Sequence, residues 1–303
     1  MEAASKDLNI VVTINPIYSL VSNVLGTSQN MHLLIGKNQS PHDYQIRPSD
    51  VRKLSKADLI FTIGDGFEVF LFNYIAKSNL DNKVIRLVNS KGLKLLPLKE
   101  PAYLNACDFS STHSHCHDEH RHKSYAMNID WHFWGNIENA KAIVREIEKQ
   151  LAAANSSQAA VYAANARSTI IRLDELDLKM KHLLDGLDKY NFVAMHDGYQ
   201  YLEQRYKLSN VGTVVMDKNF THSARKLKRL KQIVHDKKVR CMFTEPQVSS
   251  YLMDRVSHFL DTKVGQLDIE WGTFGEEISS RDLYFFMMER NASNIRNCLS
   301  SSN

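Results

Sequence analysis

A chain of 303 residues has room for two domains of ordinary size, and its 43% hydrophobic and 24% charged residues match a soluble globular protein. No run approaches the roughly 18 apolar residues that a membrane-spanning helix needs. The net charge of +4 is small and dispersed, which argues against nucleic acid as a partner. The densest basic cluster, Arg225-Lys226-Leu227-Lys228-Arg229 with Lys231, falls on a helical pattern and reads as a solvated face.

Met1 to Asp7 is polar and holds no apolar signal region. That leaves a cytoplasmic protein or one whose signal peptide has been removed. Leu8 to Ile14 is a β-rich apolar run, and Ile17, Leu20, Val21, Val24 and Leu25 mark a helix that Gly26 ends. Met31 to Ile35 reads as a second strand. It leads into Ser40-Pro41-His42-Asp43-Tyr44-Gln45-Ile46-Arg47-Pro48-Ser49-Asp50. Pro41 biases Ser40 away from helix, and Pro48 starts a helix with Asp50 in its favoured first turn. His42 therefore sits on a stiff strand-to-helix connector, where α/β sheets place ligand-binding groups.

Val51 to Lys56 continues as helix. Ala57 to Ile63 is a buried strand stopped by Gly64-Asp65-Gly66, Phe67 to Ala76 a helix, and Val84 to Val88 a strand. This alternation at βαβ spacing predicts a parallel sheet. From Leu96 to Tyr125 the pattern is lost. That stretch carries His113, His115, His117, His120 and His122, with Cys116, Asp118 and Glu119, and reads as a metal-attracting loop over 112–122.

Asn128 to Trp134 is a short apolar stretch that contains His132, and Gly135 ends it. Glu138 to Leu151 is amphipathic. After the N-cap signal Asn155-Ser156-Ser157, a stripe runs Ala166, Ile170, Leu173, Leu176, Met180, Leu183, Leu187 in steps of three and four. Roughly thirty residues of helix span about 45 Å, so a rigid strut between two domains and an ordinary long packing helix both fit.

The second half repeats the first. Asn191 to Met195 is a strand that ends in His196-Asp197-Gly198, and Tyr199 to Tyr206 is a helix. Val211 to Met216, Ser223 to His235, Val239 to Thr244, Tyr251 to Leu260 and Thr262 to Leu267 continue the alternation. Asp268 ends the last strand, and Asp282 to Cys298 is the last helix.

His42 lies on a strand-to-helix loop, while His132 and His196 end short apolar runs. Each has an aspartate within two residues: Asp43, Asp130 and Asp197. Metal-bound imidazoles commonly donate their other N–H to such a carboxylate. Three neutral imidazoles suit Zn²⁺ and leave a fourth position for water or a carboxylate. The same His₃ set with an open position also fits a zinc hydrolase or lyase. Cys107, Cys116, Cys241 and Cys298 allow three full pairings and form no CxxC knuckle.

Ser40 to Asp50, Asp130-Trp-His-Phe-Trp134 and Phe192-Val-Ala-Met-His-Asp-Gly-Tyr199 resemble the three histidine blocks of the metal-binding receptors of ABC importers (family 9, cluster A-I). They are most similar to the zinc-specific, ZnuA-type periplasmic branch. Arg240 to Gln247 and Val264 to Asp268 match later blocks, so the resemblance runs from Leu8 to Cys298. It implies an α/β fold of two lobes, each a mainly parallel four-stranded sheet flanked by helices, joined by one long rigid α-helix. The N-terminal lobe would span 8–155, the linking helix 156–187 and the C-terminal lobe 188–299.

The resemblance further implies a monomeric periplasmic receptor that captures zinc between its lobes and delivers it to a membrane ABC permease. His42, His132, His196 and Asp268 would hold the metal. The manganese branch has Glu where His196 stands, so Zn²⁺ is expected ahead of Mn²⁺. Ile269-Glu270-Trp271-Gly272 departs from the family pattern, which leaves Asp268, Glu270 and water open as the fourth ligand. Cys241 and Cys298 match a disulfide of some zinc receptors. That bond needs an oxidising compartment and favours a removed signal peptide.

Overall fold

Two sheets of the same construction carry the chain. In the computed structural model, which describes residues 7–26, 30–36, 39, 41, 44–99, 128–213, 224–246, 250–270 and 277–300, every strand pair within them is parallel. The first sheet holds β1 (Ile10–Val12), β2 (Met31–Leu33), β3 (Leu59–Thr62) and β4 (Val84–Arg86) in the order β2-β1-β3-β4. The second holds β5 (Asn191–Ala194), β6 (Ser209–Thr213), β7 (Val239–Thr244) and β8 (Lys263–Gln266) in the order β6-β5-β7-β8. β1 and β3 are buried on both faces and accordingly read as near-continuous apolar runs.

Helices α1 (Asn15–Leu25), α2 (Pro48–Lys56) and α3 (Val69–Ile75) cross between the strands of the first sheet. α6 (Gln200–Tyr206), α7 (Ala224–Asp236) and α8 (Ser250–Leu260) do so in the second. α3 begins two residues later than the sequence predicts, because Glu68 is used elsewhere. Its Oε1 accepts from Thr13 Oγ1 (2.5 Å) and Ile63 N (2.9 Å), and its Oε2 from Gly64 N (2.9 Å). Residues 64–68 are thereby held as a turn. The cost of burying this carboxylate pushes its pKa up to about 7, against the pull of those three donors.

Between the sheets lie α4 (Ile137–Ala154) and the long α5 (Ala159–Leu184), which follows a 3₁₀ turn at Ser156–Gln158. The 26 residues of α5 extend over roughly 39 Å. The helix stops at Leu184, before the predicted Leu187: Asp185 leaves helical geometry with ψ 134°, and Gly186 follows at φ +70° and turns the chain. One buried cluster runs from β1 and α1 through α4 and α5 into β5, α6 and the last helix, α9 (Leu283–Ser300). A smaller one, around Val193, Leu230, Val234, Met242 and Val256, lies on the other side of the second sheet.

α9 returns from the second sheet to lie along α1 and α5. Ser19 Oγ accepts from Tyr284 N (3.0 Å), Asn23 Nδ2 donates to Arg281 O (2.7 Å), and Lys179 pairs with Glu289 (2.6 Å). Cys241 on β7 and Cys298 on α9 form a disulfide with Cα atoms 6.0 Å apart, the pairing the resemblance implied. Closing a loop of 57 residues stabilises the fold by about 4 kcal/mol on chain-entropy grounds. No helix among the described residues is long and apolar enough to cross a membrane.

Candidate metal centre

The site forms where strands of the second sheet end and a segment before α4 meets them. His196 leaves the end of β5, Glu245 follows β7, and Glu270 follows β8. Neighbouring parallel strands bring these ends together, the general location of ligand sites in open α/β sheets.

His132 arrives from the other side. Its segment is paired as a short antiparallel strand, with Pro97 bridged to Ile129 and Asp130 N donating to Leu96 O (2.9 Å). Asp130 Oδ1 accepts from His132 N (2.9 Å) and lies 2.8 Å from His132 Nδ1. With Nδ1 engaged by a carboxylate, the proton belongs on Nδ1, and Nε2 is the nitrogen that can coordinate. Phe67 and Trp134 pack against the ring at 5.7 and 5.3 Å between centroids, which fixes its plane. Among the described residues, Asp130 is the sequence-adjacent aspartate that engages its histidine's ring.

At His196 the partner is different. Its Nδ1 lies 2.8 Å from Glu245 Oε1, a residue far along the chain, and its Nε2 lies 3.8 Å from Glu270 Oε1. Burial opposes charge on this ring, but Glu245, Glu270 and Asp197 outweigh it and raise the pKa to about 10. Asp197 is itself pushed upward, by burial and by Asp130.

The rings of His132 and His196 stand edge to face, 4.9 Å between centroids. Gly198 lies beneath both: a Cβ there would meet His196 Cε1 at 3.0 Å and His132 Cδ2 at 3.2 Å. Only a residue without a side chain lets the two imidazoles approach this closely.

One ligand atom each from His132, His196 and Glu270 falls within a span of 4.8 Å. A tetrahedral zinc with bonds of about 2 Å sets its ligand atoms roughly 3.3 Å apart, so modest side-chain rotation closes this group on an ion. Asp130, Asp197, Glu245, Asp268 and Glu270 give the surroundings a negative charge that a divalent cation offsets. Burial raises the Tyr199 hydroxyl well above its usual pKa, with Glu245, Asp268 and Glu270 adding to the effect.

Asp268 is buried close by, but it lies outside that three-residue group. Its Oδ1 accepts from Glu270 N (3.1 Å), and Asn291 binds its backbone on both sides, at 2.9 and 2.7 Å. It shapes the loop that presents Glu270. His42 and the loop 112–122 lie outside the described residues. The far side of the His42 connector is firmly set: Tyr44 OH donates to Asp50 Oδ2 (2.7 Å), and Arg47 N donates to the same oxygen (2.9 Å).

Sequence reasoning reached His132, His196, Asp130 and Glu270 but gave Glu245 no role. The available signal was positional, since Glu245 ends the strand beside the one that His196 ends.

The profile of the family described as "Zinc-uptake complex component A periplasmic" matches residues 10–298. The high-affinity zinc uptake system protein ZnuA of Brucella suis is 28% identical over 309 residues, covering 96% of this chain and 91% of its own. Among solved structures, Zn(II)-bound AdcA of Streptococcus pneumoniae superposes with a TM-score of 0.75 at 23% identity, over 98% of this chain and 59% of AdcA. The solute-binding protein FpvC of Pseudomonas aeruginosa, solved with Mn²⁺, superposes with a TM-score of 0.74 at 21% identity, over 98% of this chain and 100% of FpvC.

Proposed function

Since the chain belongs to the ZnuA family of periplasmic zinc-uptake components, we propose that it captures Zn²⁺ between its lobes and delivers it to a membrane ABC permease. The family is one of solute receptors, not enzymes. The observation that carries the reading is the convergence of His132, His196 and Glu270 within 4.8 Å. Each imidazole has a carboxylate at Nδ1, an arrangement that directs Nε2 toward a shared centre and makes it a better donor.

In this reading the ligands are His132 and His196, joined by His42 from the first lobe and by one carboxylate. The short reach from His196 Nε2 to Glu270 favours Glu270 for that place, and the bonds Asp268 makes to its own loop favour a supporting role for Asp268. Imidazole nitrogens favour Zn²⁺ over Mn²⁺. FpvC, which has the same fold, was solved with Mn²⁺, so Mn²⁺ is the competitor to test.

We read 8–155 and 188–299 as the two lobes and 156–187 as the linking helix. The separate sheets and α5 support this, with α9 shared between the lobes. The family's description as periplasmic and the Cys241–Cys298 disulfide support a periplasmic location, and we propose that the receptor acts as a monomer. Titration of metal-stripped protein with Zn²⁺ and then Mn²⁺ tests the reading. Tight binding of one zinc in the cleft, retained against excess Mn²⁺, is expected. No zinc binding, or preference for Mn²⁺, would overturn it.

A further inference from the structure

We propose that two tyrosines of the second lobe, Tyr201 and Tyr284, are positioning residues that clamp the segment 130–134 and so hold His132 in register with His196 and Glu270. The inference rests on the metal-receptor reading above and adds residues to it.

The two hydroxyls grip the segment on either side of His132. Tyr201 OH donates to the carbonyl of Asp130 (2.8 Å) and accepts from Leu96 N (2.9 Å), which ties together both arms of the short antiparallel pair. Tyr284 OH donates to the carbonyl of Trp134 (2.6 Å). A third bond completes the grip: Trp134 Nε1 donates to the carbonyl of Ile269 (2.9 Å), the residue between Asp268 and Glu270. Both tyrosines are essentially without solvent exposure, at 1% and 0%. Burial pushes both phenols above their usual pKa, so each keeps its proton and remains a donor.

His132 thus belongs to the first half of the chain but is bonded to the second. The path to the imidazole is short, since Asp130 presents the carboxylate that holds His132 Nδ1. If the Tyr201 hydroxyl is removed, the Asp130 carbonyl and the Leu96 N–H lose their partner in a buried place. The strand end can then rotate and carry that carboxylate with it. The expected consequence is that His132, His196 and Glu270 form one preassembled half-site that persists when the lobes separate.

Tyr201→Phe and Tyr284→Phe test this in the full chain, by zinc titration against a competing chelator and by the visible spectrum of the Co²⁺ form. Each is expected to weaken zinc up to about tenfold, less than direct loss of the carboxylate at His132 Nδ1 would, and to alter the cobalt bands. Tyr206→Phe is the control. Its hydroxyl is also buried, lies on the same helix as Tyr201 and donates to Asp177 (2.9 Å) rather than to the segment. It should lower the melting temperature and leave affinity and spectrum unchanged.

Wild-type affinity and an unaltered cobalt spectrum in either folded tyrosine variant would overturn the clamp. The two positions are independent, so failure of one variant to fold leaves the other to decide. A wild-type chain that binds no zinc would overturn the receptor reading and this inference with it. A wild-type chain that binds zinc while both variants match it would overturn the clamp alone.

Discussion

Glu245 Oε1 lies 2.8 Å from His196 Nδ1, and the two residues follow the carboxyl ends of neighbouring strands of the second sheet. The carboxylate sets which face of the imidazole looks toward Glu270, and its charge makes the opposite nitrogen a stronger donor. Glu245→Ala should therefore weaken zinc binding ten- to a hundredfold. Glu245→Gln, which keeps an oxygen acceptor but loses the charge, should cost less. Competition titration with a zinc chelator measures both, and equal wild-type affinity in both would show that the pair does not serve the site.

Gly198→Ala adds one carbon in a place where two candidate ligands already touch. The new Cβ would stand 3.0 Å from His196 and from Ile269, and 3.2 Å from His132, closer than ordinary contact. The imidazoles must move apart, and a site built on their spacing should lose zinc affinity by more than tenfold. The fold should lose about 1–3 kcal/mol, the usual range for overpacking. Calorimetric titration and thermal melting separate the two effects.

His132→Ala and His196→Ala each remove one of the few strong nitrogen ligands. Zinc at 100 times its dissociation constant should stabilise the wild-type fold by about 2.7 kcal/mol, and most of that gain should vanish in either variant. The readout is the melting temperature with and without zinc. Deleting 112–122 should leave that gain intact and remove only weaker zinc equivalents.

The metal-free site should release protons when it binds zinc. Glu245, Glu270 and Asp197 together overcome the effect of burial and raise the His196 pKa to about 10, while zinc takes only neutral imidazole. Below pH 10 the incoming ion must displace that proton, so affinity should rise with pH through the neutral range. In the metal-free fold the sign is opposite. The charged ring contributes stability that is complete below the unfolded value near 6.5 and is lost as pH rises toward 10. Binding enthalpies in buffers of different ionisation heat count the protons. At least one proton released per zinc at pH 7.5 is expected, and none would contradict the protonated pair.

Much of this arrangement is legible in the sequence, because local pattern carries it. Ile10–Val12 and Leu59–Thr62 read as strands from composition alone, and His196 stands out as the polar end of an apolar run. The edge strand starts earlier than its apolar run: the sequence predicts Val211 to Met216, β6 begins at Ser209, and residues 214–216 lie outside the described residues. Asn191 pairs with Ser209 through the backbone, and the Ser209 hydroxyl donates to the Asn191 side chain (2.7 Å). Polar residues on an edge strand carry little β signal.

Glu245 is hidden for a different reason. Its relation to His196 exists only once β5 and β7 pair, and no spacing in the chain encodes that pairing. The roles of Asp268 and Glu270 also separate only in three dimensions. Both are acidic and two residues apart, yet one binds its own loop and the other faces the histidines.

The most direct test of the account is a crystal structure of the zinc-loaded protein with anomalous scattering measured on both sides of the zinc edge. The strongest peak is expected between His132 and His196, bonded to Nε2 of each at about 2.0–2.1 Å, with Glu270 and His42 completing the shell. A strongest peak elsewhere, or one in the cleft bonded to neither His132 nor His196, would contradict it.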